Sequence, residues 1–157
     1  MNRYRVVKYS EAERTGVKDS WTAISDIGRS YDGVVLTEEE YLRTEQKYLA
    51  VIQDFLRAAR VGALTVDSLE IHPESPWWGR VQEGEELTPD RAVELARSIL
   101  REEDVWCLLE GEGGFYVHLA TDYYMFVGTP GNADDCVARA RSAGLYVDEM
   151  VSPFLED

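Results

Sequence analysis

The chain has 157 residues, 45% of them hydrophobic and 11% aromatic, enough to bury one core and too apolar for a disordered chain. Its apolar runs are a few residues long, far short of the ~20 that a membrane-spanning helix needs. With 30 acidic against 16 basic residues the net charge is −14, a field that repels nucleic acid and anionic lipid and attracts cationic proteins.

The charge is uneven. Residues 1–30 hold six basic and four acidic side chains, net +2, so the remainder carries −16. Between Glu102 and Ala138 there are eight acids and no Lys or Arg. The first residues contain no apolar signal core and no small-residue cleavage site, so a cytoplasmic protein is expected. No repeat, low-complexity stretch or Pro/Gly/Ser linker interrupts the chain, and residues 1–157 are expected to form a single acidic domain.

In chain order, residues 3–9 have strand composition with partial alternation. Residues 10–20 are polar and read as a loop. Residues 21–28 space Trp21, Ile24 and Ile27 three apart, which fits a short helical turn ended by Gly28. Asp32-Gly33 signals a turn before the apolar run 34–36. Thr37 and Glu40 form a capping-box signature, and Glu38, Glu39 and Glu40 suit the positive end of a helix dipole. Tyr41, Leu42, Tyr48, Leu49, Ile52, Phe55, Leu56 and Ala59 then recur at helical spacing, so a helix is expected over about 38–60. Residues 64–71 alternate as a strand, and residues 72–86 read as a loop.

Thr88-Pro89 opens a second helix, with Ala92, Val93, Ala96, Ile99 and Leu100 as its buried stripe. Glu94 and Arg97 are spaced to pair on its surface. Residues 105–109 and 115–120 read as strands joined through Glu-Gly-Glu-Gly-Gly, a hairpin signal. A third strand follows at 123–127, a third helix at about 133–143 with Gly144 as its stop, and a last strand at 145–151. This order predicts an α+β fold: a mostly antiparallel sheet with a central three-strand meander and about three helices packed on it. Phe115, Val117 and Leu119 share one face of the meander. Tyr116 and His118 share the other. One of these faces is expected to bury under the helices and the other to be a half-exposed aromatic surface.

Catalytic and metal signatures are weak. His72 and His118 have no second His or Cys at ligand spacing and read as satisfied structural histidines; an acid–base pair of His118 with Asp122, four residues on across a turn, is the alternative. Gly111, Gly113 and Gly114 do not open a helix and are flanked by glutamates, which fits a hairpin and not a phosphate loop. Glu83, Glu85 and Glu86 lack calcium-loop spacing and read as a solvated loop. Cys107 and Cys136 lie in apolar periodic segments and read as buried, reduced thiols. No cofactor and no metal are expected. Two aromatic pairs are more informative. Neighbouring residues point in different directions, so burying both rings of Trp77-Trp78 or of Tyr123-Tyr124 is difficult, and exposed Trp and Tyr favour protein interfaces.

The stretches Trp-Thr-Ala-Ile-Ser-Asp-Ile-Gly (21–28), Tyr-Asp-Gly-Val-Val-Leu-Thr-Glu-Glu-Glu-Tyr (31–41) and the residues from Val-Trp-Cys-Leu-Leu-Glu to Tyr-Tyr-Met-Phe-Val-Gly (105–128) resemble the small acidic immunity proteins of bacterial polymorphic toxin systems. The likeness would cover most of the chain. It implies a non-catalytic, stoichiometric inhibitor that blocks a cognate toxin domain, in many such systems a nuclease with a basic cleft. No binding residue carries over by motif. From charge and aromatic content, Asp26, Asp32, Trp77, Trp78, Glu110, Glu112, Tyr123 and Tyr124 are the candidate partner-binding residues, facing a basic protein and not nucleic acid or membrane. The alternatives are a small carboxylate-dependent enzyme and an intracellular ligand- or protein-binding regulatory module.

Overall fold

The computed structural model describes residues 1–155. The elements run β1 (Asn2–Val7), α1 (Glu11–Arg14), a 3₁₀ turn (Ile24–Asp26), β2 (Ser30–Tyr31), β3 (Val34–Val35), α2 (Glu38–Ala58), β4 (Leu64–Ile71) and β5 (Glu86–Leu87). They continue with α3 (Pro89–Leu100), β6 (Val105–Glu110), a 3₁₀ turn (Glu112–Gly114), β7 (Tyr116–Leu119), β8 (Tyr124–Thr129), α4 (Asp134–Ser142) and β9 (Tyr146–Glu149). A seven-stranded sheet has the order β5-β4-β6-β7-β8-β1-β9, and every pairing in it is antiparallel. Strands β2 and β3 form a separate hairpin. The α+β class, the meander β6-β7-β8 and the three long helices are those the sequence predicts.

Period-two alternation decides the layering. Tyr4 and Val6 of β1, Leu109 of β6, Val117 and Leu119 of β7, and Met125 and Val127 of β8 share one face through the strand register. That face packs in one core with Tyr48, Leu49, Ile52 and Phe55 of α2 and Ala92, Leu95, Ala96 and Ile99 of α3. Thr37 caps α2 by accepting the Glu40 amide, and Thr88 caps α3 by accepting the Arg91 amide with Pro89 in the first turn; these caps satisfy donors that a helix start leaves without partners.

Three local readings change. Residues 10–20 are not all loop: Ser10 and Glu13 form a capping box on α1, each side chain bonded to the other's backbone amide. Glu83 is not merely solvated. Its carboxylate accepts the amides of Ser68 and Leu69 at 2.9 and 2.8 Å, where β4 bulges and Ser68 takes a positive φ. Arg97 pairs with Glu45 of α2 and not with Glu94.

The second face of the meander is also not half-exposed. Leu108, Tyr116, His118 and Phe126 are all buried, and residues 151–155 return as a strap over Tyr116 and His118. Ser152 is the latch. Its amide donates to Tyr116 Oη at 3.4 Å and its Oγ lies 2.7 Å from His118 Nδ1. Phe154 packs on Trp106 and His118, with ring centroids 5.4 and 6.0 Å apart. Tyr116 lies flat because β8 offers Gly128 opposite it; a Cβ at 128 would fall 2.2 Å from the Tyr116 ring.

Gly128→Ala should therefore displace Tyr116 and loosen the strap. Overpacking of this kind costs about 1–3 kcal/mol, and urea unfolding monitored by circular dichroism is expected to show a loss in that range.

Candidate functional site

The site begins at the end of α3. The helix closes with a six-residue motif in which Glu102 N–H donates to the Ile99 carbonyl and Glu103 N–H to the Ser98 carbonyl. This ending needs a left-handed residue just past the cap, normally glycine. Helix α4 ends the same way and does place Gly144 there, at φ 96°. Helix α3 places Glu102 there at φ 56°, followed by Asp104 at φ 56°. The β7–β8 turn repeats the pattern. Asp122 and Tyr123 have φ 62° and 65°, the two central positions of a type I′ turn that favours Asn, Asp and Gly. Four of the seven non-glycine residues with positive φ are thus gathered at two adjoining loops, and strained backbone persists only where its surroundings over-determine it.

The surroundings here are tyrosines. Tyr9 Oη donates to the Asp122 carbonyl at 2.6 Å, and Tyr48 Oη donates to the Tyr123 carbonyl at 2.7 Å. Tyr123 Oη donates to Tyr41 Oη at 2.5 Å, which donates to Glu45 Oε2 at 2.9 Å. Glu45 is buried, and Arg101 grips both its oxygens at 2.7 and 2.8 Å. Burial pushes the Tyr123 and Tyr41 hydroxyls well above their ordinary pKa, so both remain neutral donors. The hydrogen bonds from Arg101 to Glu45 outweigh its desolvation and hold the guanidinium charged.

These loops enclose a cleft of about 650 Å³ at one end of the sheet. Its floor is apolar: Ile99, Leu100, Val105, Trp106, Tyr123 and Phe154. Its exposed rim carries Glu70, Glu102, Asp104 and Asp122, with His72 beside them. None of the described residues lining it is Lys or Arg. The four carboxylates are spread around the mouth, and no group of three or more potential metal ligands converges among the described residues.

A second chemical grouping lies under the strap. His118 Nε2 is 2.9 Å from Glu110 Oε1 and Nδ1 is 2.7 Å from Ser152 Oγ. A carboxylate can only accept, so in the neutral ring Nε2 carries the proton and Nδ1 accepts from the serine hydroxyl. Asp122, the alternative acid–base partner weighed from spacing, takes no part. An acid, an imidazole and a serine in series resemble a nucleophilic triad. Here the imidazole is fully buried, Ser152 is buried, and Ser152 Oγ also accepts the Phe154 amide at 3.2 Å. The grouping fastens the strap to the sheet.

The structure divides the eight residues singled out from sequence. Asp26, Trp77 and Tyr123 are buried and have internal duties, so they do not form an open surface. Asp26 accepts the amides of Thr22 and Ala23 at 2.9 and 3.2 Å. Burial pulls its pKa upward, but the Thr22 amide, the Tyr31 hydroxyl, the Ala23 amide and Arg29 outweigh it and hold the carboxyl below its ordinary range. Trp77 Nε1 donates to Ser98 Oγ at 2.8 Å, and its ring carries Arg80 and Arg91. Tyr123 supports the cleft floor from within. Asp32, Trp78 and Glu112 are exposed, Glu110 is half-buried against His118, and Tyr124 is half-buried, stacked on Tyr9 at 5.4 Å. These do not meet. Glu110 and Glu112 lie at the β6–β7 end of the sheet, opposite the cleft, and Asp32 sits on the β2–β3 turn. That Glu70, Glu102, Asp104 and Asp122 share one cleft rim was the part missed. Its signal was the stretch without Lys or Arg, in which Glu102, Asp104 and Asp122 all fall.

No family model, curated protein or solved structure matches the chain.

Glu45→Gln should break the clasp between α2 and α3. Removing one partner of a buried ion pair costs about 3–5 kcal/mol; Arg101 keeps some contact with water, so a loss of about 2–3 kcal/mol is expected by denaturant titration.

Proposed function

We propose that the protein acts by binding a cationic protein, and that the acidic cleft receives basic side chains of that partner. The observation that carries this reading is the combination of a rim of four carboxylates, an apolar and aromatic floor, and no neutralising Lys or Arg among the described lining residues. A lysine or arginine has this same division, an apolar stem and a charged head. The stem would lie on Trp106 and Phe154 and the head would meet the rim. The net charge of −14 would speed the encounter. Trp78 is exposed on the loop that follows His72 and offers a further aromatic contact to a partner. The resemblance to immunity proteins makes a toxin domain the partner class, and inhibition of that toxin the outcome. Binding needs a rigid, preformed surface, and the tyrosine clasp behind the cleft supplies one.

A small cationic ligand is the second reading, favoured by the cleft's volume, which lies within the roughly 300–1,000 Å³ of ligand sites. The two readings separate by stoichiometric capture of a protein against binding of organic cations by the isolated chain.

The test is capture of a basic protein in near-equal amount at low salt, loss of capture as salt rises, and block of that protein's activity. Asp104→Lys combined with Asp122→Lys should weaken the complex by at least about tenfold, mainly through slower association, with a smaller effect at high salt. Unchanged affinity in the double variant would remove the cleft from the interface.

Glu102→Gly offers an independent check. Glycine relieves the left-handed strain at the end of α3, and a gain of about 0.5–1 kcal/mol in stability is expected. The same change deletes a rim carboxylate, so affinity for the partner should fall while the melting temperature rises.

A further inference from the structure

A smaller cleft of about 300 Å³ lies between the α1 loop, the β2–β3 hairpin and the first turns of α2. The chain contains three lysines, Lys8, Lys18 and Lys47, and all three line this cleft although they come from separate parts of the chain. In a protein of net charge −14, this gathering of ammonium groups is the exception to the field of the whole molecule. Lys8 is held in place. Its Nζ donates to Ser20 Oγ at 2.7 Å and lies over the Tyr9 and Trp21 rings, 4.1 and 4.0 Å from their centres. These contacts favour the ammonium. Burial draws its pKa down to about 8 against the pull of Glu13, Asp26 and Glu40, so the charged form still predominates at neutral pH.

The geometry points to this cleft as a binding site for a small organic carboxylate with an apolar body. Its three ammonium groups are accompanied by four carboxylates, Glu13, Asp19, Asp32 and Glu40, and the pairing among them decides what is left over. Glu13 accepts the Ser10 amide at 3.0 Å, Asp19 accepts the Ser20 amide at 3.2 Å, and Glu40 pairs with Arg43. Lys18 is the one lysine of the three that reaches a carboxylate among the described residues, Asp32 at 3.8 Å. An ammonium group has three N–H donors. Ser20 takes one from Lys8. Lys47 has no side-chain hydrogen bond among the described residues, and its Nζ reaches Gly144 on the cleft wall, where an added Cβ would stand 3.6 Å away. An anion reached by both Lys8 and Lys47 would receive the charge-assisted bonds that the protein's own acids do not take.

The walls set the class of anion. Tyr31 and Val34 are register partners on the β2–β3 hairpin, so their side chains share a face, and both line the cleft. Val34 is 70% exposed, and Val35 beside it on the cleft wall is 53% exposed. Exposed valines at the mouth of a lysine-lined cleft suit a ligand with one apolar end and one charged end. The volume is at the lower end of the range for small-molecule sites, where a few polar groups orient a largely apolar ligand. The four carboxylates count against a multiply charged anion such as phosphate, whose further charge would meet them unpaired. A monocarboxylate asks only for the two ammonium groups without an acid partner.

The test titrates the intact protein, carrying isotope-labelled lysine, with benzoate at neutral pH and constant ionic strength, and follows the side-chain signal of each lysine by NMR. Inorganic phosphate is the comparison probe. The Lys8 and Lys47 signals are expected to shift together and to saturate with one dissociation constant, and phosphate to bind at least about tenfold more weakly. Lys47→Gln, at a half-buried position on α2, should weaken benzoate about tenfold through loss of one charge-assisted bond. Val34→Asp, on the exposed lip, should weaken it by a similar factor without disturbing the core. Shifts of Lys8 and Lys47 that never saturate, or phosphate binding as tightly as benzoate, would overturn the proposal.

Discussion

The carboxylate of Glu45 is the constraint on which much else depends. It sits on α2 in the middle of a long amphipathic stripe, at a position an apolar residue would fill more simply. A buried carboxylate is tolerable only when its charge and lone pairs are matched. Arg101 matches them from the end of α3, Arg97 adds its guanidinium at 3.5 Å, and Tyr41 donates the remaining hydrogen bond. Apolar packing between α2 and α3 could slide by part of a turn at little cost. A two-pronged Arg–carboxylate pair cannot, because its geometry is directional. Glu45 thus sets the register of α3 against α2, and with it the place where the α3–β6 loop emerges.

The same group reaches the hairpin through two hydroxyls. Tyr41 gives its one proton to Glu45, so toward Tyr123 its oxygen can only accept, and Tyr123 Oη donates to it. Tyr123 is therefore drawn inward from a type I′ turn whose second central position would suit glycine. The backbone strain at Asp122 and Tyr123 follows from this demand, and Tyr9 and Tyr48 absorb it by holding the two carbonyls. Strain at Glu102 and Asp104 is of another kind. Glycine would satisfy the end of α3 as it does the end of α4, and no internal contact of the Glu102 side chain accounts for the choice among the described residues. Helix α2 closes in the same way on Arg60 at φ 54°, so a charged residue in the left-handed place recurs at two helix ends of this chain.

The architecture was legible where one signal decides an element. Thr37 with three glutamates, Thr88-Pro89, Asp32-Gly33 and Gly144 are start and stop signals with local mechanisms, and the elements they bound fall within a residue or two of expectation. Legibility failed where the decision was made at a distance. Tyr116 and His118 alternate correctly for an outward face, but nothing in their own segment shows that residues 151–155 return to cover it. Trp77 and Trp78 are equivalent as letters; Ser98, on another helix, determines which is buried. Asp26 reads as surface charge until the amides of Thr22 and Ala23 are seen to turn toward it. The cleft was half visible. Glu102, Asp104 and Asp122 belong to a conspicuous acidic stretch, but Glu70 joins them only through the pairing of β4 with β6.

One wall serves both clefts. Trp21 packs edge-on against Tyr123, with ring centroids 5.3 Å apart, and also carries the Lys8 ammonium on its face. Its neighbour Thr22 lines the acidic cleft while Trp21 itself lines the lysine cleft. Tyr9 has the same double position: its ring receives Lys8 and its hydroxyl holds Asp122. The aromatic group Tyr9, Trp21 and Tyr123 thus separates a mouth without positive charge from a pocket that holds every lysine in the chain. Keeping Lys8 on the far side of that wall leaves the rim carboxylates unneutralised. Had the lysine reached Asp122 directly, the acidic mouth would have lost the field that distinguishes it. The separation also ties the two clefts together mechanically, since a change that tilts Trp21 moves a support of the Asp122–Tyr123 turn and the seat of Lys8 at once.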